Sequence, residues 1–242
     1  MSTGAVLNGP GLQGDLQPGA QPADVSAAAR PWFSAGALIG VAFALSPPLS
    51  SWVGRYAAFE ATQYLLLAVL VPALVVLGAP WRLAGIGSLL DAVNMKRQRR
   101  PTISSAALLV VPSLALFVVW RAPPLVDRLA HDRWLMLLEA ATLVPAGTLI
   151  WLELVRSPPM APRLAPYYRI AVAAVTMWTL WIVGYVVGLA NSDTYAVFAR
   201  EHHRVIGVAA DQQITAGLMW FVAAAAFVPV VFANLTSWLR SD

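Results

Sequence analysis

Six stretches of about 20 residues, each largely free of charge, constrain this chain more than any other feature. A hydrocarbon core about 30 Å thick takes roughly 20 apolar residues to cross as an α-helix. Lipid offers no partner for backbone N–H and C=O groups, so only helices and closed barrels can span it. The stretches cover about 32–50, 56–78, 103–120, 134–155, 167–190 and 211–237. Neither a period-two alternation nor an internal repeat is present, so the expected fold is all-α, a polytopic transmembrane helix bundle of about six spans. Composition agrees, with 59% hydrophobic and 12% charged residues and a mean hydropathy of +0.66.

Proline, glycine and charge divide the runs. Pro47-Pro48 remove backbone donors and are expected to end or kink the first helix near Ser46. Gly78-Ala79-Pro80 stops the second, and Arg121-Ala122-Pro123-Pro124 ends the third. Between them, residues 79–103 form a connection with an amphipathic middle, Leu83 to Val93, and the basic run Lys96-Arg97-Gln98-Arg99-Arg100. Two further connections read as polar loops: one holds Asp127, Arg128, His131, Asp132 and Arg133, and the other, from Asn191 to Ala210, holds Glu201, His202, His203 and Arg204. Residues 1–30, rich in Gly, Pro, Gln and Ala, lack the basic start and apolar core of a secretory signal and read as a disordered cytoplasmic tail before a membrane domain at 31–240.

Six spans place both termini on one side. That side collects ten of the sixteen basic residues, including Arg82, Lys96, Arg97, Arg156, Arg163 and Arg240, and is expected to be cytoplasmic by the positive-inside rule. The expected location is the bacterial plasma (inner) membrane. The net charge of +4 and pI near 9.8 reflect this topology signal and contact with membrane lipid, so nucleic acid is not an expected partner.

The absence of cysteine excludes disulfides, thiolate nucleophiles and Cys-based metal sites. All three histidines are loop residues, and no nucleophile stands beside a base, so catalysis is not expected. The polar residues that need a reason are Glu60, Glu139 and Asp211, because ionisable groups in spanning segments are costly. Each lies near the outer end of its helix. Either they converge between the second, fourth and sixth spans, with Gln63 one turn from Glu60 and Met136 three residues before Glu139, or each favours its own helix dipole and interfacial water. Met136 and Met219 are soft thioethers suited to cuprous copper, and equally ordinary packing residues.

Three stretches carry a resemblance: Glu60-Ala-Thr-Gln63-Tyr64 with Leu77-Gly78-Ala79-Pro80; Glu139 with Pro145-Ala-Gly147 and Trp151; and Asp211-Gln212-Gln213 with Ala216-Gly217-Leu218-Met219-Trp220. In these the chain resembles the integral-membrane CtaG-type proteins associated with assembly of caa-type cytochrome c oxidases. The resemblance implies histidine pairs in the second and fourth spans, where this chain has Glu60 and Tyr64, and Met136 and Ala140. It therefore implies a divergent assembly factor, building or carrying copper to a haem-copper oxidase, with a weaker copper site from Glu60, Met136, Glu139 and Asp211. Gln63, Gln212, Gln213 and Met219 are the other retained motif residues. The alternatives are a metal-free scaffold or accessory subunit of a respiratory or other membrane complex, and a small-ion or proton transporter. A reporter fused after Asp242 is expected to read cytoplasmic; an extracytoplasmic signal overturns the topology.

Overall fold

Proline both breaks and starts the helices of this chain: it interrupts a ladder in the interior, yet at the first helical position it lacks only a donor that would have no partner there. The computed structural model describes residues 30–98, 103–189, 195–199 and 205–240, and every regular element among them is helical. The expected tail before Arg30, Arg99-Arg100, and Glu201 to Arg204 with His202 and His203 lie outside the described residues.

The chain opens with α1 (Pro31–Leu45) and, across Ser46, α2 (Pro47–Val53). Then come α3 (Ala57–Gly78), α4 (Pro80–Leu83), α5 (Gly87–Gln98), α6 (Ile103–Val119), α7 (Pro123–Leu129) and α8 (Arg133–Leu154). The remainder is α9 (Pro166–Leu189), α10 (Ala196–Ala199) and α11 (Val208–Leu239). Five of these, α1, α2, α4, α7 and α9, begin on a proline. This explains why connections that polar residues mark as loops contain helices: 79–103 holds α4 and α5, and 121–133 holds α7. Charge ends an apolar run without ending helical backbone.

Four helices are long and apolar enough to cross a membrane, namely α3, α8, α9 and α11. A fifth candidate is α6 taken from Ser104 together with α7, a pair bent by 68°. α1 is apolar, but its 15 residues extend only about 22 Å. The structure therefore supports four to five candidate spans where hydropathy alone counts six. The first run falls short because Pro47, at the start of α2, follows the end of α1 at Leu45.

Close approach of backbones holds the bundle together, as expected where lipid supplies no hydrophobic drive between helices. In α3, Pro72 has no N–H for the Ala68 carbonyl, and a π-helical turn over Leu66–Leu70 accommodates it. α8 packs against this irregular turn at Gly147, where a Cβ would lie 2.3 Å from Ala68 O and 2.6 Å from Pro72 Cγ. α9 and α11 are clasped by a reciprocal pair: Trp181 Nε1 donates to Trp220 O at 3.1 Å and Trp220 Nε1 to Trp181 O at 3.0 Å, with the rings stacked.

The bundle has two polar ends. At one, Glu153 is buried between Arg97 at 2.9 Å and Arg163, while Trp81 Nε1 donates to Pro158 O at 2.8 Å. At the other lie the starts of α3, α8 and α11 and the break between α6 and α7. Gly147→Ala is expected to lower stability by about 1–3 kcal/mol through overpacking. Gly217→Ala, whose methyl meets nothing within 4 Å, should leave stability unchanged or raised; thermal unfolding of both variants in detergent checks the contrast.

Candidate functional site

The second polar end is built from helix starts, each of which presents N–H groups without intrahelical partners. The N-terminus of α3 follows Tyr56, which supplies no side-chain cap. Its cap comes instead from far along the chain: Asp211 Oδ2 accepts from Ala57 N at 2.8 Å and Oδ1 from Ala58 N at 3.0 Å. Asp211 also lies in the first turn of its own helix, α11. One buried carboxylate thus faces the positive ends of two helices.

One turn into α3, Glu60 is buried and its Oε2 accepts from Nη1 of Arg121, which sits at the break between α6 and α7. The guanidinium lies over the Tyr64 ring at 5.4 Å and the Tyr195 ring at 5.9 Å. Both phenols are fixed by carbonyls, Tyr64 OH donating to Phe117 O at 2.9 Å and Tyr195 OH to Arg121 O at 3.0 Å. Burial pushes the Tyr195 phenol above its ordinary value, so it stays a neutral donor at neutral pH. Glu139 on α8 is also buried, and the charges of Glu60 and Arg121 both reach it. Four atoms of this group have no hydrogen-bond partner among the described residues: Glu60 Oε1, Gln63 Nε2, Arg121 Nε and Glu139 Oε1.

The structure brings Glu60 onto Arg121, buries Gln63 on the same helix as Glu60 and Glu139 on α8, and assigns the other candidates elsewhere. Met136 is half-buried and lines a 280 Å³ pocket with Leu45, Ser50, His131 and Asp132. Asp132 caps α8 through Trp134 N at 2.8 Å. Met219 is fully buried in the apolar core against α9, where a Cβ at Gly184 would lie 3.1 Å from its Cβ. Gln212 is buried, whereas Gln213 is exposed and lines a cavity with Tyr185, Gly188 and Trp220.

Among the described residues no three His, Cys, Asp or Glu side chains come together as a metal ion requires. Asp211 is engaged by amides and Glu60 by a guanidinium, so Glu60, Met136, Glu139 and Asp211 as arranged do not fit a copper ion. Sequence reading has Arg121 only as a residue that ends the third span; the structure buries it there as a cation at the heart of the site. The available signal was pairwise: an arginine beside a span end and an acid in the first turn of another require each other once both are buried.

Fold and site together define a multi-pass helical membrane protein with a buried, internally paired polar centre. No curated protein and no solved structure matches the chain significantly. The family model of the cytochrome c oxidase caa3 assembly factors matches residues 18–241, and the chain belongs to that family.

Removing one partner of the buried pair leaves an uncompensated charge, so Arg121→Ala and Glu60→Ala should each cost about 3–5 kcal/mol. The double variant Glu60→Gln, Arg121→Met is expected to lose less than either alanine variant. Asp211→Ala should cost about 0.5–2 kcal/mol as a lost cap, and Asp211→Asn, which keeps one acceptor, less. Unfolding in detergent ranks the set; equal losses for the pair-breaking and pair-replacing variants would show that the charges are not coupled.

Proposed function

We propose that this protein supports assembly of a haem-copper oxidase as a membrane scaffold, holding a partner subunit while that complex is built. The observation that carries the reading is the internal pairing of the polar centre: Glu60 with Arg121, and Asp211 with the α3 amides. Groups so engaged fix the relative positions of α3, α6 and α11 and offer little to a cargo. Family membership supplies the partner class. In this reading the chain makes six passes of the bacterial plasma membrane, α1 with α2 completing the first, with both termini cytoplasmic, and no catalytic step is involved.

A second reading, copper delivery, is favoured by one observation. His131 and Met136 line the same pocket as Asp132, which gives imidazole, thioether and carboxylate donors a common opening. Here copper would be cargo.

Co-purification in gentle detergent, with metal analysis of the same sample, separates the two. Scaffolding expects oxidase subunits with sub-stoichiometric copper, and expects Asp211→Ala to lower oxidase yield well below that of Arg128→Ala. Stoichiometric copper abolished by Met136→Ala would instead establish delivery, and equal yields for the Asp211 and Arg128 variants would remove the site from assembly.

A further inference from the structure

Between α6 and α9 lies a groove of about 430 Å³. That volume falls in the roughly 300–1,000 Å³ range of ligand sites. Val118, Ile182, Val183 and Val186 form its walls, and Arg121 and Tyr195 close its polar end. Val118, Ile182 and Val186 are 48%, 58% and 59% exposed, so in a bilayer the groove opens sideways to lipid. A second apolar cavity of about 180 Å³, lined by Val110, Leu114, Tyr168 and Val172, continues the same seam towards the opposite end of the helices.

The polar end is chemically specific. Arg121 gives Nη1 to Glu60, and its Nε has no partner among the described residues. Tyr195 offers no donor of its own here, because its O–H is given to Arg121 O. An occupant must therefore bring an apolar chain and an oxygen that accepts from the guanidinium. It should also lack net negative charge, because Glu60 already balances the arginine.

From this combination we propose that the α6–α9 groove binds one zwitterionic glycerophospholipid, its acyl chain along Val118, Ile182 and Val186 and an ester carbonyl oxygen accepting from Arg121. The source is the surrounding bilayer, which meets the groove along its open side. Such a lipid fills the seam between two spans and completes the hydrogen bonding of the buried cation.

The test is native mass spectrometry of the full chain released from nanodiscs of equal phosphatidylethanolamine and phosphatidylglycerol. One phosphatidylethanolamine is expected to remain bound to the wild type. Val186→Trp, which fills the groove from its lipid-facing wall, should reduce that retention by about tenfold or more, the ratio expected from losing a charge-assisted hydrogen bond together with chain burial. Phe232→Trp, on an exposed face of α11, should leave it unchanged. Should Val186→Trp fail to fold, Ile182→Trp and a photoactivatable acyl chain, expected to crosslink at 118–122 or 179–187, take its place. Retention of phosphatidylglycerol or a quinone instead, no retained lipid, crosslinks elsewhere, or equal retention in the Trp variants would each overturn the proposal.

Discussion

The Arg121–Glu60 pair is the interaction on which the rest of this polar end depends. A guanidinium cannot shed its charge in a protein, so once the α6–α7 break carries Arg121 into the bundle, a carboxylate has to meet it there. Glu60 does so from the first turn of α3, which fixes the rotation of α3 about its axis and its height against α6. Tyr64, one turn further along the same face, roofs the cation and ties α3 to α6 through Phe117 O. The break that holds Arg121 there falls at Ala122-Pro123-Pro124, across which α6 and α7 are bent by 68°.

Asp211 extends this logic. The α3 start is pinned against α11 by a carboxylate 154 residues away from the amide it caps, and the Trp181–Trp220 clasp joins α11 to α9. At the other end, Glu153 between Arg97 and Arg163 ties α5 and the segment after α8 to the bundle. Both ends therefore close on a buried acid facing arginine, and the apolar middle is left to packing at small residues such as Gly147. Stability is placed where polar groups can reach one another, and shape complementarity does the remainder.

How much of this is legible in the sequence differs by level. The long apolar helices are, because a run such as Leu65 to Leu77 can satisfy its backbone in lipid in few other ways. The importance of Glu60, Glu139 and Asp211 is legible too, since the cost of a membrane carboxylate singles each out. Their partners are not. Arg121 looks like a flanking basic residue because one-dimensional patterning records its distance from an apolar run and has no access to the bend that turns it inward. Asp211 looks like a helix-start acid, which it is; that its oxygens cap a different helix depends on how α11 packs against α3. Met136 shares a helix face with Glu139 by spacing, yet lines a pocket with His131 from the preceding segment.

The same geometry bears on the positions where the family resemblance implies histidines. Glu60 and Tyr64 stand at two of them, one turn apart, and together they hold a covalently attached cation. A soft metal ion at that place would have to displace a guanidinium that cannot be neutralised, at the cost of leaving a buried positive charge beside it. An acid and a phenol around an arginine thus give the charge balance that lets Glu60 sit inside a spanning helix. A metal role in this chain would belong outside the centre, at side chains such as His131 and Met136 that the arginine does not engage.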